Sequence, residues 1–231
     1  MLLLVLFPRA FFLPLEAQAG EIIGGQEAWP HARPYMAFVK IEREGKGGNM
    51  CGGFLIREDV VVMAAHCNCN LGEFPLLQVP PMSHHLAPSD LTLLQLRDKA
   101  QMTQTVGTIP LSKEMVKKGA VCSVAGWGQT SSKTNSQPSP TLQEVEMTVM
   151  GKCMYLSRPY LHYVPSRMLC VGDPLERKAP FLGDSGGPLV RGGKPMGIVS
   201  HGTGDWSTPS VFTRLSKYVC WIKKTLCKLK P

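Results

Sequence analysis

The 231-residue chain has few aromatic residues (7%) and lacks an uncharged apolar run of about 18 residues, so a membrane-spanning anchor is not expected. It also lacks an N-x-[ST] sequon: Asn68-Cys69-Asn70 and Asn135-Ser136-Gln137 both miss the pattern, and N-glycosylation is not expected. Internal repeats are not evident. No zinc-finger spacing, helix-turn-helix or RNA-binding signature is present, which argues against a specific nucleic-acid partner. Acidic residues are the scarcer sign, 17 against 25 Lys and Arg, leaving a formal charge of +8. A basic surface of this kind attracts polyanions such as heparin-like proteoglycans. Lys223, Lys224, Lys228 and Lys230 concentrate the charge at the C-terminus, although a solvated helix face accounts for them equally well.

Glycine (23) and proline (19) are abundant, which favours a turn-rich β architecture over a helical bundle. The length suits one large domain or a pair of small ones. Residues 1–19 stand apart. Two apolar runs, Met1–Phe7 and Phe11–Leu15, flank Arg9 and lead to Ala17-Gln18-Ala19, a small-residue cleavage pattern. They read as a secretory signal cut after Ala19. Secretion makes the eight cysteines candidates for disulfides, but an even count does not give the pairing. Further on, short apolar runs alternate with breakers. The runs are Tyr35–Ile41, Phe54–Met63, Leu91–Leu96, Val121–Ala125, Leu142–Met150, Pro188–Val190 and Gly197–Ser200. The breakers include Glu44–Gly48, Pro80-Pro81, Ser131–Pro140 and Arg191–Lys194. This rhythm predicts an antiparallel barrel or sandwich. Leu215, Val219, Ile222 and Leu226, spaced by three and four, predict a C-terminal helix.

The chemistry concentrates in Gly183-Asp184-Ser185-Gly186-Gly187-Pro188-Leu189. A serine hydroxyl is a weak nucleophile that needs a neighbouring base and N–H donors aimed at the oxyanion it creates. Glycines on both sides let a substrate carbonyl approach the main chain; a plain inter-strand loop is the alternative. His66, in Ala64-Ala65-His66-Cys67, is the candidate base, because imidazole titrates near neutrality. Taken alone it fits a packed or metal-binding histidine as well. Asp90 opens the apolar run Leu91–Leu96 and is the candidate carboxylate that would fix the imidazole tautomer, or else a loop acid at a strand end. The chain order His66, Asp90, Ser185 separates this pattern from the subtilisin and α/β-hydrolase orders.

With these residues in place the chain resembles the granzyme, cathepsin G and mast-cell protease branch of the trypsin/chymotrypsin serine proteases. The resemblance is carried by Ile22-Ile23-Gly24-Gly25, Pro30–Met36, Cys51-Gly52-Gly53, Ala125-Gly126-Trp127-Gly128, Cys170–Pro174 and Trp221–Thr225, and covers nearly all of the chain from Ile22. It implies an all-β fold of two antiparallel six-stranded barrels with a C-terminal helix. Residues 20–21 would be an activation dipeptide and residues 22–231 the peptidase domain. Removal of Gly20-Glu21 would free the Ile22 ammonium to pair with Asp184. The N–H groups of Gly183 and Ser185 would form the oxyanion hole. Ser200 and Gly202 would lie on the strand that binds substrate backbone, with Ala179 and Ser210 in the specificity pocket. Neither pocket residue is charged, so a preference for apolar or aromatic side chains is expected. Disulfides Cys51–Cys67 and Cys153–Cys170 are implied. So is a monomer stored in secretory granules, acting on protein or peptide substrates without metal or organic cofactor.

Two features depart from that family. The resemblance implies a cysteine partner for Cys122 six residues after Ser185, but Arg191 stands there, while Cys69, Cys220 and Cys227 are additional. His66 and Asp90 are only 24 positions apart, about twenty fewer than usual, which predicts a shortened first barrel with exposed strand edges. The shortening admits an alternative: a catalytically impaired cationic relative that binds polyanions or microbial surfaces, or a damaged product that barely folds.

Overall fold

The computed structural model describes residues 22–43, 46–68, 76–78, 90–129, 137–151, 163–202 and 209–229. Of the features singled out in the sequence, residues 1–21, Cys69, the 79–89 approach to Asp90 and Cys153 lie outside the described residues. Twelve strands form two units. The first is a sheet of β2 (Met36–Arg43), β3 (Lys46–Arg57), β4 (Val60–Met63), β6 (Thr92–Gln95) and β5 (Leu76–Gln78), hydrogen-bonded in that order. The second contains β7 (Val121–Gly126), β8 (Gln143–Met150), β9 (Met168–Val171), β10 (Pro188–Arg191), β11 (Lys194–His201) and β12 (Ser210–Arg214). Its order is β8-β7-β10-β11-β12-β9, and β9 returns to β8 to close a six-stranded barrel. Strand β1 (Gln26–Glu27) pairs with Gln143 and Glu144 of β8, whose far end, Val149 and Met150, pairs with β9.

The strands follow the side-chain pattern. Along β8, Gln143, Val145, Met147 and Val149 point inward while Glu144, Glu146, Thr148 and Met150 do not, which is the period of a half-buried strand. All four residues of β4 are buried, as suits a strand covered on both faces. The expected run Phe54–Met63 is two strands, broken where Glu58-Asp59 turns the chain between β3 and β4. Arg191-Gly-Gly-Lys194 is the predicted breaker; Gly192 and Gly193 have φ of 56° and 68°, the left-handed pair that a tight hairpin requires. Strand β3 runs through part of the Glu44–Gly48 segment expected to break the chain. Strands β9 and β12 were not signalled, because each has few residues and little alternation.

Among the described residues the first unit is a five-stranded sheet that does not close. Its core is nevertheless continuous. Phe54, Val62, Met63, Leu91, Leu93 and Ile109 pack with Val190 and Ile198 of the second unit and with Leu215, Tyr218 and Ile222 of the C-terminal segment. That segment starts as a 3-10 turn, Leu215–Lys217, and continues as helix α1 (Val219–Leu226). Arg57 fastens it: the guanidinium forks onto Asp59, with Nη2 to Oδ2 at 2.8 Å, and donates from Nη1 to the Leu226 carbonyl at 3.2 Å, satisfying a helix-end acceptor.

Cys51 and Cys67 are bonded, as expected, and tie β3 to the turn that carries His66. Cys170 is also in a disulfide, and the Cys153 end of the expected bridge lies outside the described residues. Cys122, Cys220 and Cys227 are free thiols. Burial pushes the Cys122 thiol up to about 11, with Arg191 acting against it. Leu189 faces Val124 and Val190 faces Ser123 across β10 and β7, so the next pair in register is Arg191 and Cys122. Arg191→Cys should therefore bond to Cys122. The expected outcome is one free thiol fewer by thiol titration and a gain in unfolding free energy of about 2–4 kcal/mol. A variant with an extra free thiol and unchanged stability would contradict this register.

Candidate active site

The two units meet at the serine loop. The Gly52 N–H on β3 donates to the Ser185 carbonyl at 2.8 Å, which draws the loop onto the first unit. Gly186 has a φ of +89°, and a Cβ there would stand 2.3 Å from the Gly52 carbonyl oxygen and 3.0 Å from the Ala64 nitrogen. Only glycine fits both the backbone conformation and the contact.

His66 sits in a 3-10 turn, Ala65–Asn68, directly after β4. Asp90 stands just before β6, the neighbour of β4, so strand pairing sets them side by side despite the short connection. The carboxylate accepts twice from His66: from its backbone N–H at Oδ1 (2.9 Å) and at Oδ2 through Nδ1 (2.8 Å). Ser200 Oγ on β11 donates to the same Oδ2, and Thr213 Oγ1 on β12 donates to the Asp90 carbonyl at 3.1 Å. The remaining imidazole nitrogen, Nε2, lies 3.9 Å from Cys67 Sγ, which in turn is 3.7 Å from the Ser185 carbonyl oxygen. Hydrogen bonds thus join His66, Asp90 and Ser200, and the Ser185 main chain lies against Cys67, the residue next to His66.

The electrostatics follow from these contacts. The Asp90 hydrogen bond raises His66 above its ordinary value, against the effect of partial burial. Burial works to raise the Asp90 carboxyl, but the bonds and charge of His66 and the Ser200 hydroxyl hold it below the usual range. Asp90 therefore stays ionised while the ring becomes basic enough to take a proton.

Asp184 occupies a different environment. It is fully buried, and accepts from the N–H groups of Gly128 (2.8 Å) and Phe181 (2.9 Å). Burial raises its pKa to about 6, partly opposed by those two bonds. A Cβ at Gly126 would fall 2.1 Å from Asp184 Oδ1, and one at Gly128 2.5 Å from its Cγ, so Gly126-Trp127-Gly128 is the socket for this side chain. Ile22 is fully buried too, and Ile23 bridges to Ala179 just upstream of Asp184.

A cavity of about 290 Å³ opens beside Ser185, lined by Pro180, Phe181, Val199, Ser200, Gly202 and Ser210, with Leu182 and His201 completing the described wall. Ala179, expected in this pocket, is buried, is not among the lining residues, and gives its N–H to the Ile23 carbonyl at 3.1 Å. Gly183 has a φ of +101°, and a Cβ there would press on Met50 at 3.1 Å. A larger cavity of about 380 Å³ beside Gly24, Arg33 and Glu144 contains neither serine loop nor imidazole, and is not this site. The sequence reading missed three contributors. These are Thr213, the backbone donors of Gly128 and Phe181, and the role of Ser200 as a bond to Asp90. None has a motif, since each is defined by pairing between distant strands.

A serine in a glycine-lined bend, backed by a carboxylate-held imidazole at the junction of two β units, defines a serine hydrolase of the two-barrel class. The comparisons make that specific. The trypsin family model matches residues 22–222. The chain is 44% identical to mast cell protease 3 of Ovis aries over 92% of both chains, and 44% identical to granzyme B of Homo sapiens over 96% of this chain and 98% of that one. A solved granzyme C structure superposes with a TM-score of 0.74 at 37% identity, covering 89% of this chain and 99% of that one. The chain belongs to the trypsin family and is a serine endopeptidase.

The ion-pair geometry has a direct consequence for titration. Asp90→Asn removes the negative charge and replaces one of the two acceptor oxygens by an NH2 donor, so the imidazole should protonate at lower pH than in the parent. Imidazole proton NMR across the titration checks this; an unchanged or higher midpoint would mean that Asp90 does not control the ring.

Proposed function

We propose that this endopeptidase works through His66, Asp90 and Ser185, with the Gly183 and Ser185 N–H groups receiving the oxyanion. The observation that carries the reading is the paired bond between Asp90 and His66, kept across the short connection. His66 takes the Ser185 proton as Oγ attacks the scissile carbonyl, then returns it to the leaving amine; water repeats the cycle on the acyl-enzyme. Asp90 fixes the ring so that Nε2 is the basic nitrogen and stabilises the imidazolium. Because the base must be neutral, kcat/KM rises with pH through the His66 titration, which lies above the ordinary histidine value.

The substrate side chain before the scissile bond enters the cavity beside Ser185. Its described lining has neither carboxylate nor fixed cation, which supports a preference for Phe, Tyr, Leu or Met over Lys, Arg or Asp. Backbone recognition falls to Ser200 and Gly202, as strand addition at the end of β11. Secretion through a signal at residues 1–19, storage in granules and binding of heparin-like proteoglycans belong to the same reading. They rest on the basic charge and on the relatives. The decisive experiment is labelling of the chain from Ile22 with a fluorophosphonate. Labelling that vanishes in Ser185→Ala is expected, and a folded, unlabelled parent would overturn the triad. A peptide library cleaved mainly after Lys, Arg or Asp would overturn the preference.

Activation follows from Asp184. While Ile22 is still linked to Glu21 its nitrogen is a neutral amide, and the buried carboxylate carries its charge without a cation. Removing residues 20–21 creates an ammonium that completes the pair and orders the Gly183–Ser185 loop. The sign of the pH effect follows from the raised pKa of about 6 against an ordinary 3.8. The unpaired charge costs nothing below the lower value and its full amount, about 3 kcal/mol, above the higher one. The chain starting at Ile22 should therefore be more stable than the chain starting at Gly20 at neutral pH, with the gap closing as pH falls toward about 4. Urea unfolding of the two forms over that range measures it, and a pH-independent gap would argue against the pair.

A further inference from the structure

His201 follows Ser200 at the end of β11 and stands exposed on the rim of the cavity beside Ser185. Its Nδ1 is 3.1 Å from Ser200 Oγ. The direction of that bond is set by counting protons. Ser200 has one hydroxyl hydrogen, and it is given to Asp90 Oδ2. An ionised carboxylate can only accept, so toward His201 the Ser200 oxygen must accept and Nδ1 must carry the hydrogen. Nε2 is left as an acceptor on the neutral ring and becomes a donor when the ring is protonated. Among the described residues, the charged groups acting on this ring are Asp90, before β6, and His66, after β4. Partial burial holds it below the ordinary value of 6.5, with Asp90 opposing and His66 adding to the effect. The ring therefore takes its charge at lower pH than an ordinary histidine does.

We infer that His201 is a pH-dependent specificity residue: anchored through Nδ1 on Ser200, it presents an Nε2 that, once protonated, pairs with an acidic side chain of the substrate at the cavity rim. This rests on the reading of His66, Asp90 and Ser185 above. It adds a second preference to the apolar cavity, for a nearby Glu or Asp, which strengthens as the medium acidifies.

The test uses peptide pairs that differ only by Glu or Gln, placed in turn at the second, third and fourth residue before the scissile bond. The Glu/Gln ratio of kcat/KM should rise about three- to fivefold at one position, the worth of an exposed ion pair, between about pH 7.5 and about pH 5.5. Loss of the His66 base in acid affects both peptides equally and cancels in the ratio. H201N keeps a donor at the δ position but cannot titrate, and H201F removes both functions; in each the ratio should stay flat. A flat ratio in the parent, or the same rise in H201N, would overturn the inference. Tautomer-resolved NMR of the Ser185→Ala chain gives a readout free of activity: neutral His201 should carry its proton on Nδ1, and an Nε2–H ring would overturn it. If the parent takes no fluorophosphonate, the triad reading fails, while the tautomer still decides the anchoring of His201.

Discussion

Asp90 is the tie on which the rest depends. Its carboxylate takes two bonds from His66 in the first unit and one from Ser200 in the second, and its carbonyl takes a fourth from Thr213. One residue thus fixes the base, fixes the strand proposed to bind substrate backbone, and holds the two β units in register. A partly buried anion is costly unless its lone pairs are used, and here they are used by groups from two segments of chain, one in each unit. Displacing any one of them would leave the carboxylate under-satisfied, which resists independent drift of the two units.

This arrangement explains why a short connection between His66 and Asp90 need not disconnect them. His66 is held by β4 and by the Cys51–Cys67 bridge, and Asp90 by the pairing of β6 with β4. Each end is positioned by its own strand, so the length of the intervening chain is not what brings them together. The core is completed from elsewhere, because Ile222 and Tyr218 of the C-terminal segment pack beside Leu93 and Phe54. Helix α1 belongs to the end of the second barrel in sequence and to the first unit in packing.

The serine loop and the histidine turn were legible in the sequence because each requires a particular residue type at a fixed offset, whereas Gly126 and Gly128 were legible only as part of a motif and not as the socket of Asp184. The alternating strand β8 and the C-terminal helix were legible for the same reason, through period. Asp90 was legible only as a candidate. Nothing local distinguishes a loop acid from one whose partners arrive from β11 and β12. The same limit hid His201, whose meaning depends on the direction of a hydroxyl proton at its neighbour. Register across distant strands is the information a linear reading lacks.

Two carboxylates, Asp90 half-buried and Asp184 fully buried, have opposite protonation tendencies, and the difference lies in what surrounds them. Asp90 has an imidazole and a hydroxyl within reach and is held ionised, whereas Asp184 has two backbone N–H donors and is pushed toward its neutral form. Two dipoles do not replace a counter-charge when water is excluded. The first arrangement is complete in the folded chain, and the second is complete only when a cation arrives. In the activation proposed above, a site built this way has its base assembled in advance and leaves the oxyanion loop conditional, so that control over activity would fall on the Ile22 end of the chain, at a distance from the groups proposed to move the proton.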